Sequence, residues 1–425
     1  MDRRPAFLTV IATLSLLIVS CGVDDPGQEV RTRVPRTEPV SAAVQPAVDA
    51  VNAFGTDLLR SLVARHGSEN VVVSPYNVAM VLSMASAGAS GATADQFAAV
   101  LHTTNLPALR AGFGALDHLV ATRTGERRNR VRKGNIELRL AGALWAPRGT
   151  RFEQSFLDKF GSTYSGGLRV VDFRSDPDAA RTAINEWARS STAGTVGELA
   201  ARGTITERTR MVGTAVTDLR APWELPFDPE QTTDQPFTLL DGTVVDRPLM
   251  TANFQSGVLT ATGEGWQAFE LAFLGQELSI LVVVPNADSF THFITNLDWH
   301  TIERIAQALT PTPVDLRLPR FQFTTQLTLN DALRSLGLTN AFAPRDADFS
   351  GITTDEPLHL DSVLHQTFVS VDEEGTQNRA ATVQERGTPK VPAARLSADR
   401  PFVFVIRDRR SGLVLSAGWV VEPNG

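Results

Sequence analysis

The hydrophobic positions change period along this chain, and each change marks an element. Leu278–Pro285 (LSILVVVP) is apolar at nearly every position and ends on proline, which predicts a strand buried on both faces. Val78–Ala89 is apolar or small on every side, which predicts a helix inside the core. Ser74-Pro75 ahead of it supplies an N-cap and a first helical residue. Leu329, Leu333 and Leu336 keep helical spacing, with Gly337 as the stop. Ser362–Val371 and Phe402–Ile406 read as strands. Residues 372–401 join them, where a hairpin needs about two to five residues. Long connections in ordered domains are functional or disordered, and this one opens with an acid pair, a glycine and small residues.

That opening has a strand-like alternation of its own. If 376–385 becomes a strand, Thr376, Asn378, Ala380, Thr382 and Gln384 share one face, mostly small and uncharged. Gln377, Arg379, Ala381, Val383 and Glu385 share the other, and both charges can face water. A slip of one residue would bury Arg379 and Glu385 unpaired, which is costly. Gly375 provides a pivot free of a Cβ. Asn378 on the inner face needs a hydrogen-bond partner once buried.

Composition narrows the chemistry. The chain has 425 residues, 40 basic and 47 acidic, for a net charge of −7, which argues against general nucleic-acid binding. Cys21 is the only cysteine, so no intramolecular disulfide can form. There is no Gly-x-Ser-x-Gly elbow, His-Glu-x-x-His or phosphate-binding glycine loop, and nothing calls for a cofactor. His359, Asp361 and His365 do not form a metal set, because on a strand the two histidines lie about 20 Å apart.

Residues 1–20 read as a targeting segment, with Arg3 and Arg4 before the apolar stretch Phe7–Val19. Ile18-Val19-Ser20-Cys21-Gly22 resembles a bacterial lipobox. The resemblance implies lipidation of Cys21 and anchorage at a bacterial cell surface or periplasm-facing membrane, with simple secretion as the alternative. Residues 21–46, polar and proline-rich, are expected to be a disordered tether, and 47–425 one large domain. Arg123, Arg127, Arg128, Arg130, Arg132 and Lys133 form a basic run that fits either a polyanion site or a solvated loop.

Several spaced blocks, taken in order from Val48 to Pro423, resemble the serpin family of suicide protease inhibitors. They are Val371-Asp-Glu-Glu-Gly-Thr376, Asn70–Gly91 with its Asn-x-x-x-Ser-Pro, and Trp223-x-x-x-Phe227 followed by Thr232 and Phe237. Asp348-Phe349-Ser350-Gly351, Arg400–Phe404 and Ser416–Val421 complete the set. The resemblance implies an α+β serpin fold: a large mixed main sheet, further sheets, about eight to nine helices and an exposed reactive-centre loop at about 373–399. It implies a monomeric non-enzyme, cut by a serine protease that it then traps covalently as its loop inserts into the main sheet. About fifteen inserted residues would span roughly 50 Å.

The implied hinge is Glu373, Glu374, Gly375, Thr376, Asn378, Ala380, Ala381 and Thr382. The implied reactive bond is Lys390–Val391, with Pro389 and Arg386 as alternatives. Lysine suits the acidic pocket of a trypsin-like enzyme. Ser74, Asn185, His365 and Trp223 fall in the implied sheet-opening region, with Asn185 as the expected hydrogen-bond partner of His365. Two other readings stand beside this one: a non-inhibitory serpin that is a protease substrate or binding protein, and a surface hydrolase or solute-binding lipoprotein.

Overall fold

A computed structural model describes residues 27–30, 34–164, 166–376 and 394–424. Among them are nine α-helices and three sheets, an α+β architecture. The main sheet contains seven strands used below: β1 Gln28–Glu29, β2 Lys133–Pro147, β3 Leu168–Val171, β4 Met211–Pro222, β5 Phe321–Thr328, β6 Leu360–Val371 and β7 Gly375–Thr376. Its order is β1-β3-β2-β4-β6-β5, with β7 added on β4. The β2–β4 and β5–β6 pairs are antiparallel, whereas β4 and β6 are parallel neighbours.

Leu278–Pro285 forms the expected strand, buried at every position, in the middle of the second sheet. The continuous apolar run is explained by cover on both faces. The expected core helix is Pro75–Ser86, and all of its residues are buried. Ser74 caps it, accepting from the Asn77 N–H, and Pro75 takes the first position, where no N–H is needed. Asn77 then fastens the helix beneath two strands, donating to Ala141 O at 3.1 Å and Val216 O at 2.7 Å.

Helix Pro177–Ser191 crosses the opposite face of the main sheet. Its Ile184 and Trp187 pack with Trp145 of β2, Val212 and Val216 of β4 and Leu364 of β6 in a second hydrophobic cluster. That cluster spans the β4–β6 junction, so separating those strands must disturb it.

Two expectations need correction. Residues 27–30 and 34–46 are not an unstructured tether: β1 pairs antiparallel with β3, and helix Val44–His66 begins inside the supposed tether. A two-residue strand takes its hydrogen bonds from an existing edge, so it needs no hydrophobic period of its own. The long connection also has structure at both ends, because β7 follows β6 and Ala394–Ser397 pairs parallel with Val314–Pro319. Residues 1–26, including Cys21, and the segment 377–393 lie outside the described residues.

Candidate functional site

The site is a fork in the main sheet. The parallel β4–β6 pairing ends at Thr217 and Thr367. Beyond it β4 continues to Pro222 and β6 to Val371, and the chain then doubles back. Gly375 pairs with Pro222 and Thr376 with Ala221, antiparallel to β4. Thr376 is buried: its Oγ1 accepts from the Ala221 N–H at 3.0 Å. Gly375 has φ +147°, and a Cβ there would lie 2.1 Å from Ala221 O. A side chain at 375 is excluded by conformation and by space.

Three acids turn the chain into the fork, and each is held by a different element. Asp372 Oδ1 accepts from the Glu374 and Gly375 N–H groups at 2.9 and 3.1 Å. Burial pushes its carboxyl up, against those two donors, which hold it down. Glu373 is 4% exposed. Its Oε1 receives Nε and Nη2 of Arg320 at 2.6 and 2.5 Å, and the Thr232 hydroxyl as well. Glu374 pairs with Arg132 at 3.3 Å.

The backbone of the same turn is tied to the segment after β4. Trp223 N–H donates to Glu374 O and Phe227 N–H to Glu373 O, both at 2.9 Å. The Trp223 indole is fully buried, stacks on Phe273 at 4.7 Å and donates from Nε1 to Asp372 O at 2.8 Å.

Lower on the junction His365 joins both strands to the core helix. Its Nδ1 lies 3.0 Å from Ala215 O, and its Nε2 accepts from the Ser74 N–H at 3.0 Å. Ala215 O can only accept and Ser74 N–H only donate, so the ring is neutral with its proton on Nδ1. Ser74 Oγ donates in turn to Leu415 O of the second sheet at 2.6 Å.

Asn185 does not reach His365. Its Oδ1 accepts from Leu199 and Ala200 N–H at 2.9 and 2.7 Å, and its Nδ2 donates to Ala200 O. The ring already has Ala215 O and the Ser74 N–H as partners, and Asn185 closes the turn after its own helix instead. That turn crosses the sheet front, where Gln326 of β5 donates to Glu198 O and Leu199 O.

The basic run is a solvated loop only in part: Arg128, Arg130 and Lys133 are exposed, whereas Arg123 is buried and Arg127 and Arg132 are half-buried. Gly125–Arg128 is a short strand on β2. Arg123 is 5% exposed and bonds Asp408 and Glu277. Arg127 also reaches Glu277, Arg132 takes Glu374, and Lys133 lies 3.9 Å from Glu126. Arg128 and Arg130 show no ionic partner among the described residues. Asn378, Ala380, Ala381, Thr382, Arg386, Pro389, Lys390 and Val391 lie outside the described residues.

Sequence reasoning missed Arg320 and Asp218, and it placed Thr232 in a motif without its bond to Glu373. Asp218 sits on β4 just past the last parallel pair, fully buried, with Arg139 at 2.8 Å. Burial pushes its carboxyl up. The only signal was an acid following the apolar and small run Met211–Thr217.

The family model described as Serpin (serine protease inhibitor) matches residues 49–423, so the chain belongs to the serpin family. An uncharacterized serpin-like protein of Thermococcus kodakarensis is 32% identical over 390 residues, covering 89% of this chain and 86% of that one. The leukocyte elastase inhibitor of Homo sapiens is 28% identical, covering 87% and 97%. Among solved structures, the thermophilic serpin tengpin in its native state superposes with TM-score 0.80 at 22% identity, covering 92% and 97%. This likeness gives the fold. The α+β class and the large mixed sheet expected from the sequence are present.

Two outcomes follow. Gly375→Val should lower the urea midpoint of unfolding and release the turn, because both space and φ forbid the side chain. A midpoint equal to wild type would show that the turn is not seated in the fork. Burial lowers the His365 pKa to about 4 from the ordinary 6.5. The native state therefore refuses a proton that the unfolded chain accepts. Stability is full above about 6.5 and falls as pH drops toward about 4, by up to about 3 kcal/mol. The raised carboxyls of Asp372 and Asp218 oppose this loss. The check is therefore a difference: urea unfolding between pH 7 and 4.5 should show a shallower loss in His365→Gln than in wild type. Equal slopes would place the histidine's proton elsewhere.

Proposed function

We propose that this serpin is an irreversible suicide-substrate inhibitor of a trypsin-like serine protease. The protease attacks Lys390–Val391, with Pro389 or Arg386 as the alternative residue before the cut, and forms an acyl-enzyme. The freed segment then enters the main sheet between β4 and β6 and carries the protease with it. One observation supports this above the rest: Gly375 and Thr376 already run antiparallel to β4 at Ala221–Pro222, beyond Thr217 where its pairing with β6 stops. A strand following them between two parallel neighbours is antiparallel to both, so it can take ladder hydrogen bonds from each side.

The hinge as read continues with Asn378, Ala380, Ala381 and Thr382. Small side chains on the inner face suit a slot between packed strands. Family relatives include protease inhibitors, which favours inhibition over an enzymatic role. We assign Cys21 as the lipidated N-terminus, placing the inhibitor on a bacterial membrane surface, with the secreted form as the alternative. A polyanion contact would draw on Arg128, Arg130 and the exposed Lys133, since Arg123, Arg127 and Arg132 are paired with acids within the fold.

A second reading, a non-inhibitory serpin that is simply cut, is favoured by the Glu373–Arg320 pair and by Asn378, which the sequence register would turn inward on insertion. Both would slow insertion and let the protease finish hydrolysis.

The chain from Gly22 onward, mixed with a trypsin-like protease, should give a band at the summed mass that survives boiling in detergent. Lys390→Ala should slow its formation by about a hundredfold or more, as expected for loss of the charge that fills the protease pocket. Asn378→Ala should raise the trapped fraction. Clean cleavage, with no complex and no rise in melting temperature after nicking, would overturn inhibition in favour of the second reading.

A further inference from the structure

The free edge of the main sheet is occupied by the chain's own N-terminal segment. Gln28 pairs with Val170 and Glu29 with Arg169, and the Val30 N–H donates to Leu168 O at 2.8 Å. Arg169, with its guanidinium 5.8 Å from the Trp145 ring centroid, donates to Gly27 O at 2.9 Å. Gly27 has φ +66°, and a Cβ on it would stand 2.5 Å from the Trp145 ring. Backbone approach this close to a fully buried tryptophan needs glycine.

Further along, the segment leaves the sheet and grips two helices. Arg36 Nη2 donates to Asp117 Oδ2 at 2.6 Å and to Gly114 O at 3.2 Å, both on helix Leu106–Ala121. The Thr37 N–H donates to Ser162 O of helix Gln154–Thr163 at 2.9 Å. Then Val44 begins helix Val44–His66, whose Asn52 is bonded to the second sheet through Gly412 O and the Val414 N–H.

The contacts therefore run from the edge of the main sheet, over helices Leu106–Ala121 and Gln154–Thr163, to helix Val44–His66, which is bonded to the second sheet. Opening the β4–β6 junction by one strand spacing, about 4.8 Å, moves the β3–β2–β4 side relative to β6 and β5. A segment fastened both to β3 and to the helix frame resists that movement.

We propose that residues 27–30 and 34–43 act as a cis-acting clamp. The edge of β3, with the helices that carry Asp117 and Ser162, is a docking surface for this one extended peptide, and the docked peptide restrains opening of the main sheet. The docking is β-augmentation within one chain, and it also covers an edge that would otherwise present unpaired N–H and C=O groups to other molecules. Only the consequence for loop insertion rests on the inhibitory reading. The clamp itself can be read in the uncleaved protein.

The test is hydrogen exchange on the full chain, as wild type, Arg36→Ala and Gly27→Val. In wild type the Val30 amide should be protected. Arg36→Ala removes an exposed ion pair, so exchange across Val212–Thr217 and Ser362–Thr367, the paired part of the junction, should rise about two- to fivefold. Gly27→Val should give about tenfold or more, by unseating β1. An unprotected Val30 amide in wild type would overturn the docking. Release of Val30 in either variant, with exchange at the β4–β6 junction unchanged, would overturn the clamp. Failure of the inhibitory reading would register separately, as a melting temperature that does not rise after the loop is nicked.

Discussion

The parallel pairing of Met211–Pro222 with Leu360–Val371 stops at Thr217 and Thr367, and everything at the site depends on where it stops. A parallel ladder is slightly weaker per residue than an antiparallel one. Two parallel neighbours can also accept between them a strand that is antiparallel to both. The chain leaving Val371 must reverse direction, and after its reversal it has that sense. On the proposed reading, a strand following Thr376 would separate these two neighbours and pair with both. Separating the two strands would have to overcome the Glu373–Arg320 pair, the Trp223 hydrogen bonds, the His365 joint and the hydrophobic cluster under helix Pro177–Ser191.

The sequence carried the parts whose signal is local. The buried strand Leu278–Pro285 and the capped helix after Ser74 follow from apolar runs and a cap-and-proline pair. The turn residues Glu373 to Thr376 stood out because acids and a glycine there fit no linker. What the sequence hid is pairing between distant residues. Arg320 looks like any strand-end cation until the fold places it on a carboxylate 53 positions away. Asn185 was read as the partner of His365, yet its side chain serves the turn at 199–200. That choice depends on which backbone groups the turn leaves open, and no residue pattern records it. The basic run misled for the same reason: Arg123, Arg127 and Arg132 find their acids at 277, 374 and 408. The clamp at 27–30 and 34–43 was invisible because a borrowed edge needs no hydrophobic repeat.

The two margins of the main sheet are tied down differently. At the β5 margin, Gln326 holds the turn that Asn185 organises, so the helix over the sheet front is fastened to the far strand. At the opposite margin the N-terminal segment fastens β3 to the helix frame. An opening sheet has to slide past the first and strain the second, while its centre gives up His365.

These restraints respond to different variables. Arg36–Asp117 is a partly exposed ion pair, and its side chains are 33% and 39% accessible. Salt screens such a pair, and alone it contributes little. The His365 joint is dry and fully buried, so salt does not reach it. It weakens only when the ring is protonated, and burial postpones that to about pH 4. A protonated Nε2 would face the Ser74 N–H, donor against donor, and the link to the core helix would be lost, while Nδ1 would still donate to Ala215 O and the Thr367 hydroxyl, 2.9 Å from Nε2, can accept the new proton. Glu373 lies between these cases. It is buried while its guanidinium partner is half-exposed, so releasing the turn would strand neither charge: the carboxylate would move toward water and Arg320, already 38% accessible, would stay at the rim. The hinge is therefore held by a contact strong enough to define a resting position, and its release does not leave a buried charge behind.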